Sequence, residues 1–117
     1  MELYQELLKN IPGIIYWKPQ KGVQHNYAYF PILVKEEAYG MSRNQLFDIL
    51  SDNNIGARKY FYPITNSFDA YKGLYNTGVT PIALKISSEV MTLPLYPDLA
   101  DKQIIRICDI IRKHAKI

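Results

Sequence analysis

Cysteine and histidine are scarce in this chain. The 117 residues contain one cysteine and two histidines, so neither a cysteine–histidine metal motif nor a disulfide framework can be read from the sequence. The single Cys108 stands among isoleucines, which favours a small packed side chain in a reducing compartment over a reactive thiol. We assign no metal-binding residue.

Long apolar runs and a strong charge of one sign are also missing. No stretch is long enough to span a bilayer, and Met1 is followed by the polar, acidic ELYQE, so we expect neither a membrane span nor a signal peptide. Lysine and arginine number 14 against 11 aspartate and glutamate, and the lysines are scattered, which disfavours nucleic-acid binding. We expect a soluble, cytoplasmic domain.

The common catalytic motifs are absent as well. The sequence has no glycine-rich phosphate loop, no serine in a nucleophile elbow and no closely spaced carboxylate pair at a strand end. Asp69, Asp98 and Asp101 occupy positions typical of turn and capping residues. We therefore assign no catalytic residue.

Hydrophobic periodicity predicts a single α+β domain. We expect a small, mostly antiparallel sheet of three or four strands, with helices around Leu46, Ile86 and Ile107 packed on one face. The predicted helices cover residues 2–10, 43–51, 81–91 and a segment after 98. The predicted strands cover residues 14–17, 25–34, 55–62 and 92–95.

Capping and proline signals set the ends of these elements. Ser42, Thr80 and Asp98 are residue types that cap helix N-termini, and Pro81 suits the first position of a helix. Pro31 indicates that part of the strand over 25–34 lies at an edge or a bulge, because proline cannot donate to a ladder.

The stretch NIGARKYFYPITNSFD, residues 54–69, carries the strongest functional signal. In an extended strand Arg58, Tyr60 and Tyr62 share one face, and a guanidinium beside two phenols suits an anionic, hydroxyl-rich ligand. The other face carries Ala57, Lys59 and Phe61. The same residues also allow a twisted edge strand whose aromatic rings cover a core, with Arg58 reaching to water.

Three blocks of the sequence carry a family resemblance. NYAYFPILV, NIGARKYFYPITNSFDAY and KISSEVMTLPLYPDL occur in this order, and from about residue 11 onward the chain resembles the C-terminal part of the DegT/DnrJ/StrS sugar aminotransferases. These enzymes use pyridoxal phosphate to aminate a keto-sugar carried on a nucleotide. The form ARKYFYP, with Tyr60 where many relatives carry histidine, most resembles the branch that acts on dTDP-linked 4-keto-6-deoxy sugars.

The resemblance implies a domain division and an incomplete active site. Residues 1–12 would be the end of an interdomain linker helix, and 13–117 the small C-terminal domain of a fold-type I aminotransferase. The cofactor lysine and the groups around it would lie in a large domain outside this chain, because none of the ten lysines stands in a matching motif. Lys59 is the tempting candidate, but strand alternation points it away from Arg58 and Tyr60. We expect the isolated chain, a fragment of the enzyme, to bind no pyridoxal phosphate and to be inactive.

The resemblance also implies what the chain contributes. It would form one wall of the active-site cleft, with Arg58, Tyr60 and Tyr62, and secondarily Asn26 and Tyr27, facing the substrate. The guanidinium would hold a diphosphate or a carboxylate and the phenols would meet sugar hydroxyls, while a tyrosine in place of histidine argues against direct proton transfer. The expected partners are the large domain, the nucleotide-sugar and a second subunit of a homodimer. An independent binding module that kept the fold and lost the chemistry is the alternative.

Overall fold

Five helices and three strands make up the part of the chain that the computed structural model describes, residues 1–116. The helices are α1 (Glu2–Leu8), α2 (Glu36–Tyr39), α3 (Arg43–Asp52), α4 (Pro81–Glu89) and α5 (Asp101–Lys113). The strands are β1 (Ile14–Tyr16), β2 (Phe30–Val34) and β3 (Val90–Leu93). Short 3-10 turns cover Thr65–Ser67, Asp69–Tyr71 and Thr77–Val79 between α3 and α4.

The sheet is antiparallel, with the order β1-β2-β3, which confirms the predicted α+β class. Phe30 pairs with Leu93 and Ile32 with Met91, and all four side chains enter the main hydrophobic core. Because side chains alternate along a strand, the intervening residues lie on the opposite face of the sheet. These residues are Pro31, Leu33, Val90 and Thr92.

Helices α1, α3 and α5 cover the core face. The predicted apolar stripe of α5 is confirmed, since Ile104, Ile107, Cys108 and Ile111 are all buried. The segment expected to end a linker helix contributes Tyr4 to the same core, where its ring stacks on Phe30 with the centroids 4.8 Å apart.

The start of α3 shows why the helix forms where the sequence predicted it. The Ser42 hydroxyl accepts from the Gln45 backbone N–H, and the Gln45 side chain accepts from the Ser42 backbone N–H. This capping box satisfies two otherwise free donors. Leu46 and Leu50 then lie on the buried side.

Two strand predictions were too long. The strand expected over 25–34 begins only at Phe30, because Tyr27 has a left-handed backbone (φ 55°) that interrupts extended structure. Pro31 belongs to β2, the central strand of the sheet, but to the part of it that β1 does not reach, which agrees with the prediction that part of this strand lies at an edge. Pro31 is tolerated there because β1 has already ended at the Tyr16–Ile32 pair, so that side has no ladder to break.

The strand expected over 55–62 is reduced to a single bridge between Arg58 and Thr92 at the outer edge of β3. Arg58 N donates to Thr92 O at 3.1 Å, and Thr92 N donates to Arg58 O at 2.7 Å. Beyond Lys59 the chain turns at residues 60–61, so pairing stops after one residue.

Helix α4 departs from the prediction in position and capping. None of its residues belongs to the main hydrophobic core; Ala83 and Ile86 instead line a cavity with Val90 and Thr92 on the opposite face of the sheet, and Ile82 is 74% exposed. Thr80 precedes the helix without a side-chain cap; its hydroxyl donates instead to the Thr77 carbonyl at 3.3 Å. Asp98 does not cap α5 either, because that helix begins after Ala100.

Within residues 1–116, none of the helices combines the length and the apolar character that crossing a bilayer would require.

Candidate active-site wall

A cavity of about 1050 Å³ lies on the face of the sheet that the core does not use. Pro31, Val90 and Thr92 form its floor, and α4 borders it with Ala83 and Ile86. Aromatic residues dominate the remaining lining, and we therefore call it the aromatic cavity. They are Trp17, Tyr29, Tyr60, Phe61, Phe68, Tyr71 and Tyr75.

Three of these rings contact one another. Tyr60 and Phe61 stack with their centroids 5.2 Å apart, and Tyr29 meets the Tyr60 ring edge-on at 5.7 Å. Phe61 stays 72% exposed despite these contacts. A wall of exposed rings with phenol tips suits a ligand that has a flat or apolar face and hydroxyl groups.

The chemistry of the lining is limited. Among the described residues, those that line the cavity include no lysine, arginine, histidine, carboxylate or thiol. Besides the tyrosine hydroxyls, the polar side chains are those of Thr65, Asn66, Thr80, Ser87 and Thr92. The cavity can thus contact and orient a ligand, while tyrosine phenols are its only titratable groups within residues 1–116.

Arg58 and Tyr60 come together as the sequence predicted. Arg58 Nη1 donates to the Tyr60 hydroxyl at 2.8 Å. Arg58 also bridges Thr92, which lines the cavity with Tyr60, so its guanidinium lies at the cavity's edge. Lys59 is directed elsewhere, with its ammonium 4.7 Å from the centre of the Phe47 ring, which agrees with the prediction that it points away from Arg58 and Tyr60.

Tyr62 and Phe61 differ from the predicted alternation. The turn at residues 60–61 puts Phe61 on the same side as Tyr60, whereas Tyr62 lies under the guanidinium of Arg43 at 4.9 Å. Tyr62 is not among the described residues that line the aromatic cavity. Simple period-two alternation fails here because the segment is not a continuous strand.

Asn26 and Tyr27 lie in the loop before β2. The Asn26 side-chain oxygen accepts from the Ala28 backbone N–H at 3.1 Å, and the Tyr27 backbone N–H donates to His25 Nδ1 at 2.7 Å. The Tyr27 side chain is 58% exposed. Within the described chain, neither residue is part of the cavity lining.

Sequence reasoning missed Arg43, the buried arginine next to this site. Its guanidinium donates to the Ser87 and Val90 carbonyl oxygens at 3.0 and 2.6 Å. Burial lowers the pKa of Arg43, and the nearby Tyr62 phenol opposes that shift. Arginine at the first position of a helix normally points to water, so nothing in its local sequence marked it.

Three aromatic residues of the cavity lining were missed for a different reason. Trp17, Tyr71 and Tyr75 belong to loops or short turns, where no periodicity indicates which way a side chain points. The abundance of tyrosine, ten in the sequence, was the available signal.

Comparison with known proteins agrees with the resemblance read from the three blocks. Residues 1–112 match the DegT/DnrJ/EryC1/StrS aminotransferase family. A dTDP-4-amino-4,6-dideoxy-D-glucose transaminase from Escherichia coli is 39% identical over 111 residues, which are 93% of this chain and 30% of that relative. A transaminase of the same name from Shigella dysenteriae is 36% identical over 94% of this chain and 30% of its own length. The chain thus spans about 30% of the length of these curated relatives.

The fold agrees with a solved structure as well. The crystal structure of DesI in the presence of its TDP-sugar product matches 96% of this chain and 28% of its own chain, with a TM-score of 0.88 at 23% identity. The family match extends over nearly the whole sequence, and the same α+β architecture recurs in that solved relative. This chain therefore belongs to the DegT/DnrJ/EryC1/StrS aminotransferase family.

Proposed function

We propose that this chain forms one wall of the active-site cleft of a pyridoxal-phosphate-dependent aminotransferase that acts on a nucleotide-linked keto-sugar. The substrate class is a dTDP-linked 4-keto-6-deoxy sugar, in keeping with the names of the E. coli and S. dysenteriae relatives. Residues 13–117 act as the small domain, and residues 1–12 end the helix that links it to a large domain.

The character of the aromatic cavity is the observation that carries the proposal. It offers exposed rings, hydroxyls and an arginine at the edge, but no lysine within its described lining. A protein that binds pyridoxal phosphate for transamination uses a lysine to form a Schiff base with the aldehyde carbon and a carboxylate to pair with the pyridinium nitrogen. The lining does not fit the cofactor by itself, so we derive no reaction step through it and assign cofactor binding to the large domain.

Each proposed substrate-facing residue has a distinct role. Arg58 holds the diphosphate of the nucleotide-sugar or a donor carboxylate, because a guanidinium binds either in a fork. Tyr60, already bonded to Arg58, meets a sugar hydroxyl at the cavity wall. Tyr62, Asn26 and Tyr27 lie outside the described lining and contact the substrate where the completed cleft extends past it.

The proposed partners follow from an incomplete cleft. The large domain supplies the opposite wall together with pyridoxal phosphate, and the complete enzyme is a cytoplasmic homodimer. Exposed apolar side chains beside the cavity, such as Leu74 at 69% and Val79 at 71%, suit a surface that another domain covers.

A chimera tests the proposal. The C-terminal 30% of the E. coli relative, the part that this chain matches, is replaced by residues 1–117. Amino transfer from dTDP-4-amino-4,6-dideoxy-D-glucose to a 2-oxo acid is then measured, with the unchanged relative and its truncated large portion as controls. The chimera should be active and the truncated portion inactive. A folded, cofactor-loaded chimera without activity, together with binding of the dTDP-sugar to this chain alone, would favour a stand-alone binding module instead.

A further inference from the structure

Arg43 is a buried arginine whose partners are neutral. Only 2% of the residue is exposed, and within residues 1–116 its guanidinium forms no ion pair with a carboxylate. Its Nη1 donates to the Ser87 and Val90 carbonyl oxygens, and its Nε donates to Asn44 Oδ1 at 2.8 Å. Burying a charge is costly unless fixed dipoles take the place of water, so these acceptors must hold their positions.

Two of the acceptors belong to the end of a helix. Ser87 lies in the last turn of α4, and Val90 is the residue at which α4 passes into β3. Carbonyl groups at a helix C-terminus carry partial negative charge and lack partners within the helix. The guanidinium therefore fixes the corner between α4 and β3, and both Ser87 and Val90 line the aromatic cavity.

The same guanidinium also contacts residues 60–65, a second segment beside the cavity. Its central carbon lies 4.9 Å from the centre of the Tyr62 ring, within the range of a cation–π contact. Tyr62 stands between Phe61 and Pro63, which both line the cavity. One buried side chain thus joins residues 60–65 to the α4–β3 corner.

We propose that Arg43 is a positioning residue of the aromatic cavity, holding the α4–β3 corner and the segment 60–65 in the arrangement that receives the ligand. The proposal deepens the function proposed above, since it concerns the same nucleotide-sugar site. Arg43 acts through Ser87, Val90 and Tyr62 and does not itself line the described cavity. The planar shape of the guanidinium matters as much as its charge, because the same group must contact two carbonyl oxygens and the face of one ring.

Nuclear magnetic resonance on the 117-residue chain tests this without relying on activity. The variants are Arg43→Lys, which keeps the charge, and Arg43→Met, which removes it. Arg106→Met is the matched control, because Arg106 also donates to a backbone carbonyl, that of Asn53 at 2.8 Å, but does not line the aromatic cavity within the described residues. Both Arg43 variants should shift and broaden the ring signals of Tyr60 and Phe61 and the amides of 60–65 and 83–92, with core methyl signals unchanged. The Arg106 variant should leave the cavity signals in place.

Chemical rescue distinguishes positioning from general stability. Millimolar methylguanidinium should restore the Arg43→Met cavity signals, whereas methylammonium should not. Equal rescue by both cations, or equal cavity shifts in the Arg43 and Arg106 variants, would overturn the proposal. If Arg43→Met does not fold, Tyr62→Leu replaces it: this variant should disturb residues 60–65 and spare the α4–β3 corner, and no change at 60–65 would contradict the proposed link.

The chimera adds a functional measurement. Arg43→Lys should raise the KM for the dTDP-sugar more than it lowers kcat, because it disturbs how the ligand is received. A fall in kcat at unchanged KM would overturn the positioning role. An inactive chimera with the expected resonance pattern would instead reject the proposed function while leaving the role of Arg43 in shaping the cavity intact.

Discussion

The guanidinium of Arg58 donates a hydrogen bond of 2.8 Å to the hydroxyl of Tyr60, two residues further along the chain. Arg58 is held by its backbone bridge to Thr92 at the sheet edge, and Tyr60 is held by the rings of Tyr29 and Phe61. The pair therefore presents a cation and a phenol at the cavity wall in a fixed relation.

Removing the phenol hydroxyl should weaken catalysis without abolishing it. Tyr60→Phe in the active chimera loses the bond to Arg58 and the proposed contact to the sugar, and we expect a net loss equal to one hydrogen bond, about 1 kcal/mol. We expect kcat/KM to fall about fivefold. Tyr96→Phe is the control, because Tyr96 lies outside the described lining of the cavity. An equal fall in kcat/KM in both variants would contradict the proposed contact of Tyr60 with the substrate.

Two glycines with left-handed backbones should respond differently to alanine. Gly13 has φ 74°, and an added Cβ would come within 2.4 Å of the Tyr39 backbone nitrogen. Gly22 has φ 79° and nothing within 4 Å of the same position. Both substitutions cost about 1–2 kcal/mol for the backbone conformation, and Gly13→Ala should cost at least about 1–3 kcal/mol more from overpacking. Urea unfolding midpoints measure the difference. Equal losses of stability in the two variants would contradict the close packing of α2 against Gly13.

Alkaline pH should destabilise the fold, because buried thiol and phenol groups ionise more readily in the unfolded chain. Burial raises the pKa of the Cys108 thiol from 9.0 to about 12, and it also raises the pKa values of the Tyr4 and Tyr39 phenols. The folded state then retains protons that the unfolded state releases, so this stability is fully present below pH 9 and declines as the pH rises towards 12. Urea unfolding at successive pH values measures the decline.

Cys108→Ala isolates the thiol's share of that pH dependence. The variant should be less stable at neutral pH because it leaves a cavity, yet its stability should change less between pH 9 and the onset of tyrosine ionisation near 10. A pH dependence identical to that of the parent chain would show that Cys108 is accessible to water.

The Tyr39 hydroxyl should contribute measurably to stability. It donates to the Ile111 carbonyl at 2.6 Å and is buried, which ties α2 to α5. Tyr39→Phe should lower the free energy of unfolding by about 1–2 kcal/mol. Tyr75→Phe, at a residue that is 62% exposed, should change it by less than about 0.5 kcal/mol.

Periodicity and capping predicted the parts of the fold whose determinants are local. The Ser42 capping box and the buried face of α5 needed only residues within the same helix. The features that shorten the strands are not visible in the hydrophobic pattern: β2 begins only after the left-handed residue Tyr27, and the segment after Arg58 leaves the sheet after one bridge.

The pairing of Arg58 with Tyr60 was predictable, because a cation and phenols cluster in one short segment. Their contact with a substrate stays a prediction, and the rest of the cavity lining was not predictable from the sequence. Phe61 was missed because the chain turns at residues 60–61, and Trp17 because it follows β1 in a loop. Arg43 was missed because its carbonyl partners, Ser87 and Val90, lie 44 and 47 residues away in the sequence.

The origin of the cofactor lysine tests the central claim most directly. This chain and the active chimera are each incubated with pyridoxal phosphate, reduced with borohydride and mapped by peptide mass spectrometry. We predict one modified lysine in the chimera, located in the portion from the E. coli relative, and no dominant site in this chain alone. A single, fully modified lysine within residues 1–117 of either protein would contradict the account of this chain as a wall that lacks the catalytic lysine.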